Sequence, residues 1–194
     1  MRSTTLVLLG AVTSIAGLMI AGVVYLRTTG LATASEPGAI ETMLAQVARR
    51  LAIPPGARAL SNPVASSPEA ITDGMVHFAD HCAGCHANDG SGNTEMGRGL
   101  YPRAPDMRLT ATQDRSDGEL FYVIENGIRF TGMPAWKSET AAGEESSWRL
   151  VHFIRRLPNL TPAELETMKA FNPRSPEEIR QEIEEERFLN PGGQ

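Results

Sequence analysis

Apolar residues along this chain fall into patterns that specify helices from one end to the other. From Leu6 to Leu26, 21 residues run without a charged side chain, with Arg2 before them and Arg27 after. About 20 apolar residues cross a bilayer as a helix, so residues 6–26 are read as a membrane span. A secretory signal peptide is the rival, with Ala32-Thr33-Ala34 before Ser35 as its cleavage site. The apolar run is longer than such peptides use, which favours a retained anchor.

Residues 37–52 place Ile40, Met43, Leu44, Val47, Ala48 and Leu51 at helical spacing, forming one apolar stripe. Two uses suit the stripe: docking onto the helix's own domain, or binding a partner near the membrane. Arg49 and Arg50 would also favour anionic lipid. Residues 53–68 hold four prolines and read as a linker with little regular structure. Ser67-Pro68 then opens a helix with Ile71, Gly74, Met75 and Phe78 on one face. A Gly-, Asn- and Pro-rich loop follows from Ala87 to about Thr112. Ser116-Asp117-Gly118-Glu119 is a capping box before "ELFYVIEN", which Gly127 stops. "SSWRLVHFIRRL" is helical and ends before Pro158. Thr161–Glu164 and Ser175–Glu178 are two further capping boxes, each starting a short helix.

The pattern predicts an all-α fold with no convincing strand. It divides into an anchor (1–30), an amphipathic helix and Pro-rich linker (31–65), a central domain (66–160) and an acidic helical extension (161–194). Composition permits a packed core, at 41% hydrophobic and 21% charged residues. The net charge of −5 argues against nucleic acid as a partner. It is unevenly spread, at +3 over 1–65 and −4 over each of 66–160 and 161–194.

The chain has two cysteines, both in "HCAGCH", residues 81–86. A structural zinc site needs four ligands, and a second Cys pair is missing. His77 and His81, four apart, are a weak metal pair. A thioredoxin-like dithiol belongs to a strand–helix context absent from this pattern, and a disulfide across two residues would be strained. Cys-x-x-Cys-His is the attachment signature of haem c. The thiols of Cys82 and Cys85 add across the two vinyl groups, and His86 reaches the iron. A covalent porphyrin would also serve as core for a domain so rich in loops. For the other axial position Met133 leads, 47 residues beyond His86 in "FTGMPAW" and flanked by Gly132 and Pro134. Met75 reads as core. Met107, Met96 and an open sixth position are the alternatives.

With these residues in view, positions 66–160 resemble class I c-type cytochromes, above all membrane-anchored bacterial monohaem types with a C-terminal extension. The resemblance rests on Gly74-x₃-Phe78-x₃-Cys82, "CAGCH", "GLYPRAPDM", "SDGELFYVIENGIRFTGMPAW" and "WRLVHFIRRL". It implies helices and long loops wrapped round one haem. It implies that Gly74 and Phe78 pack on Leu150 and Phe153, and that a proline carbonyl accepts a hydrogen bond from His86. Pro105 is the candidate for that carbonyl and Pro102 the alternative, because the loop here is longer than in the smaller cytochromes. Tyr101, Arg103 and Arg129 are weaker candidates for the propionates, Trp136 packs near the haem or in the core, and His152 packs or faces solvent.

The expected function is one-electron transfer without catalysis, at a bacterial cytoplasmic membrane with the haem domain on the periplasmic side. The expected redox partners are a dehydrogenase, a quinol-oxidising complex or a terminal oxidase. Membership of a larger complex is the principal alternative. A haem enzyme or gas sensor with an open sixth site is the other. The acidic tail is expected either to wrap its own domain as a solvated helix or to dock a redox partner.

Overall fold

The structure, a computed structural model, describes residues 2–30, 32–33 and 35–189. Ala34, in the proposed cleavage site, lies outside the described residues, as does the side chain of Arg2. The described residues contain helices and no strand. They fall into two units, 1–35 and 36–194.

The first unit is the single helix α1, Arg2–Thr29. Residues 4–28 are long and apolar enough to cross a membrane. Thr13, Ser14 and Thr28 return their hydroxyls to carbonyls three or four residues back, so these three polar groups are satisfied within the helix.

In the second unit α2 covers Ala39–Ala52 and α3 Pro55–Arg58. The Pro-rich segment predicted to have little regular structure thus holds one helical turn, and it lies on the domain that follows. The Asn62 amide donates to the Trp148 carbonyl at 3.0 Å, the Ser116 hydroxyl donates to the Arg58 carbonyl at 3.0 Å, and Ile53 is buried. His152 meets the Val64 carbonyl at 2.8 Å. Its packing role is therefore to hold this segment down.

α4, Pro68–His77, starts as predicted, with the Ser67 hydroxyl accepting from the Ala70 amide. The helix does not stop there. It passes through a π turn, Phe78–Cys82, into a last α turn, α5, Ala83–His86. Single π turns inside α-helices widen the backbone locally and recur at functional sites. This one delivers the two cysteines and His86. The loop read as irregular contains two short helices, α6 (Glu95–Gly99), capped by Thr94, and α7 (Thr110–Gln113). α8, Asp117–Asn126, has the predicted Ser116–Glu119 capping box, and Gly127 ends it at φ 64°. α9, Ala141–Arg156, begins five residues earlier than the apolar pattern indicated, because Thr140 caps it.

α4 and α9 cross at the centre of the core. A Cβ on Gly74 would meet the Arg149 carbonyl and lie 3.0 Å from the Phe153 Cβ. Phe78 and Phe153 are fully buried with ring centroids 5.2 Å apart, and Leu150 joins the same cluster. Burying each such ring contributes about 1.5–3 kcal/mol. Arg155 ties α9 to the start of α8, donating to Asp117 at 2.8 Å and to the carbonyls of Gln113 and Arg115.

The tail splits in two. α10, Pro162–Lys169, has the predicted Thr161–Glu164 box and buries Met168 completely in the core. Asn172 exchanges amide hydrogen bonds with Asn88 and donates to the Ala79 carbonyl in the π turn at 2.9 Å. α11, Pro176–Leu189, exposes every described side chain. It is a solvated acidic helix, as one reading expected, but it does not wrap the domain.

Candidate haem site

Cys82, Cys85 and His86 leave from the end of one continuous helix. Both cysteines are unbonded thiols, half buried. Burial, with Cys85 close by, pushes the Cys82 thiol up to about 12. Reactive redox dithiols need the opposite, a depressed value that yields thiolate near neutral pH. The Cys82 thiol is therefore ill suited to act as the attacking thiolate.

His86 is held low by burial, while the backbone of Pro105 acts in the opposite direction. Its buried Nδ1 has no hydrogen bond of ordinary geometry. A neutral imidazole is the form that binds metal, and a partner for the other ring nitrogen fixes which nitrogen is free to do so. The Phe78 ring lies 6.5 Å from the imidazole, at a tilt.

Pro105 is brought to this place by glycines. The Gly92 amide donates to the His86 carbonyl at 2.8 Å, and the Met107 amide donates to the Gly90 carbonyl at 2.8 Å. Gly92, at φ 70°, lies so close to the 104–105 backbone that a Cβ there would meet the Ala104 carbonyl and lie 3.1 Å from that of Pro105. A side chain at Gly97 would run into the Cys85 carbonyl. The Arg108 fork then joins Asp106 at 2.7 Å and Asp89 at 2.9 Å, pinning the two ends of the loop together.

The methionines separate clearly. Met75 and Met168 are core. Met96 is exposed, with its sulfur 3.3 Å from that of Cys85. Met107 is partly buried against the core. Met133 is half buried on a separate loop after α8. That loop closes on itself: the Ile128 amide donates to the Met133 carbonyl at 3.1 Å, and the Met133 amide donates to the Thr131 hydroxyl at 3.1 Å. The Trp136 amide returns to the Ile124 carbonyl at 3.0 Å. A Cβ on Gly132 would strike the Leu100 side chain. The loop that carries Met133 therefore abuts the loop that carries Pro105.

The remaining candidates have other occupations. Trp136 is partly buried against the core with its edge to His81, centroids 5.2 Å apart. Arg103 pairs with Glu36 at 3.3 Å, and Arg129 is exposed. His77 meets the Ser146 hydroxyl at 2.7 Å and His81 pairs with Asp80 at 3.2 Å. Among the described residues no group of three or more His, Cys, Asp or Glu side chains is placed to hold a bare metal ion. Sequence reasoning missed the π turn, the Gly92 and Gly97 contacts and the Asn88–Asn172 staple. Only the glycines and Thr94-x-x-Gly97 left a readable trace.

Two thiols and an imidazole beside the Pro105 backbone on one helix end suit a porphyrin attached by thioethers and ligated by histidine. Residues 69–154 are similar to c-type cytochrome domains. They match the family described as cytochrome c oxidase, cbb3-type, subunit III. A similar protein is the cbb3-type cytochrome c oxidase subunit FixP of Rhizobium meliloti (strain 1021), 32% identical over 93 residues. That stretch is 47% of this chain and 29% of the relative, so the chain matches less than a third of the relative's length.

Proposed function

We propose that the protein is a one-electron carrier with one haem c, joined through Cys82 and Cys85 and ligated by His86 and Met133. The observation that carries the reading is the His86 ring, placed beside the Pro105 backbone and directly after the paired thiols. When bound, the haem supplies one-electron chemistry at iron, with the potential raised by Met/His ligation. The chain supplies the rest. Cys82 and Cys85 fix the porphyrin edge, the Pro105 carbonyl orients His86, and Gly92 and Gly97 let the loop close against that helix end. Thr131 and Gly127 shape the turn that presents Met133. With His86 and Met133 both holding the iron, no position would be left there for a substrate, so the role would be electron transfer rather than catalysis.

α1 holds the protein at a bacterial cytoplasmic membrane, with the haem domain on the periplasmic side. There it exchanges electrons with a dehydrogenase, a quinol-oxidising complex or a terminal oxidase. A second reading, a haem-carrying subunit of a larger membrane complex, draws on the similarity to cbb3 oxidase subunits. Co-purification of other subunits after mild detergent extraction distinguishes it from a free carrier.

The test of the site is spectroscopic. Haem colour should stay with the protein through acid-acetone extraction and be lost from a Cys82→Ser, Cys85→Ser double variant. Met133→Ala should abolish the weak red band of sulfur-ligated ferric iron and let carbon monoxide bind the ferrous protein. It should lower the potential by on the order of 0.1 V, part of the roughly 0.8 V range that axial ligands span. An unchanged spectrum and potential in Met133→Ala would remove Met133 from the ligand set.

A further inference from the structure

α2 turns its apolar face away from the protein. Ile40, Met43, Leu44, Val47 and Leu51 are between 49% and 80% exposed. At about 100° per residue these five, with Ala48, occupy an arc of roughly 140°. The partly covered side chains of α2 are Thr42 and Arg49, which sit on the opposite side. Arg49 faces the domain closely enough to feel burial and the charge of Arg115. So the helix packs with its polar side inward. The stripe that the sequence offered as a docking face for its own domain is left bare.

An isolated helix of 14 residues is marginal in water. Its apolar face therefore calls for a cover, and the chain itself points to one. Only residues 30–38 separate α1 from α2, a tether of at most ~30 Å. α1 is long and apolar enough to cross a membrane, so α2 starts within that reach of a lipid surface. α2 has one acid, Glu41, and two bases, Arg49 and Arg50. Arg50 lies at the edge of the stripe, where its stem can follow the apolar surface and its charge can reach lipid phosphates. A wide apolar arc with a polar back is the pattern of a helix lying in the interface plane.

We propose that α2 is an interfacial helix, with Ile40, Met43, Leu44, Val47 and Leu51 set into the phospholipid surface of the membrane that α1 enters. The inserted face reaches about 5–10 Å below the headgroups. The inference rests on α1 being a membrane anchor, and the experiment separates the two.

Full-length, haem-loaded Leu44→Trp and Ala45→Trp proteins are reconstituted into vesicles of phosphatidylcholine and phosphatidylglycerol, with plain or brominated acyl chains. Val47→Trp serves as a second probe of the same face, and the haem spectrum of each variant checks its fold. Flotation reports α1: protein that fails to float with the vesicles overturns the anchor reading and this inference together. In floated protein, bromine should quench the added indole of Leu44→Trp and of Val47→Trp several-fold more than that of Ala45→Trp. Weak and equal quenching in all three variants overturns the interfacial helix while leaving the anchor intact. Blue-shifted emission from Leu44→Trp and Val47→Trp without bromine quenching also overturns it, by showing that another protein or a second copy covers the face.

Discussion

Helices α2 and α9 carry the same kind of pattern and meet opposite surroundings. Each is a helix of about four turns with one apolar stripe and two arginines in its last turn. α9 buries Trp148, Leu150, Val151, Phe153 and Ile154 against α4 and α8, while α2 buries none of its residues. The difference lies in what the stripe can approach. α9 meets Gly74, where a missing side chain lets two backbones come together and Phe153 drops beside Phe78. The side chains of α2 that its own domain partly covers are Thr42 and Arg49, and its Arg50 carbonyl accepts from the Arg58 guanidinium. Amphipathicity reports that a face wants cover; complementary shape decides whether the protein itself provides it.

The largest expected effect is at the buried stripe. Phe153→Ala removes a fully buried ring from the α4–α9 crossing and should cost about 3–5 kcal/mol, read as a lowered denaturation midpoint of the detergent-solubilised, haem-loaded chain. A loss under about 1 kcal/mol would mean that the crossing is not the centre of stability.

Next is the staple in the last turn of α9. Arg155→Ala leaves the Gln113 and Arg115 carbonyls without their donor and breaks the bond to Asp117. It should destabilise by about 1–3 kcal/mol, and hydrogen exchange should quicken first in α7 and α8.

A smaller effect concerns α10. The Arg156 guanidinium and the Thr161 cap hold the Glu164 carboxyl at about 2, below its ordinary 4.5. A depressed folded value means the stabilisation is fully present above 4.5 and is lost as pH falls toward 2. The pair is partly exposed, so solvent screening keeps its contribution to about 1 kcal/mol or less. In Glu164→Gln, stability measured by circular dichroism between about pH 5 and pH 2 should fall less steeply than in the parent chain. An identical slope in both proteins would show that other carboxyls carry the acid response.

Smallest of all is the exposed stripe in detergent. Leu44→Ala should shift stability by no more than ~0.5 kcal/mol, as surface substitutions do. A loss as large as that of Phe153→Ala would erase the contrast between the two helices.

The tail repeats the lesson on a smaller scale. Its two capping boxes are nearly the same motif, and both helices start where the motifs predict. Yet α10 sinks Met168 into the core and α11 stays in solvent. The family match ends at residue 154, before the boundary expected at 160, and residues 161–172 share the core through Met168 and Asn172.

By itself the sequence determined the starts of α4, α8, α10 and α11, the stop at Gly127, the apolar run of α1 and the Cys82–Cys85–His86 motif. These are local matters: a capping hydroxyl, a glycine at positive φ or a four-residue spacing acts within one or two turns of chain. The π turn, the approach of the Pro105 backbone to His86, the burial of Met168 and the bare face of α2 were settled only by tertiary structure. Each depends on contacts between residues far apart in the chain, where backbone fit and competing burial select one arrangement among several that the local pattern permits equally.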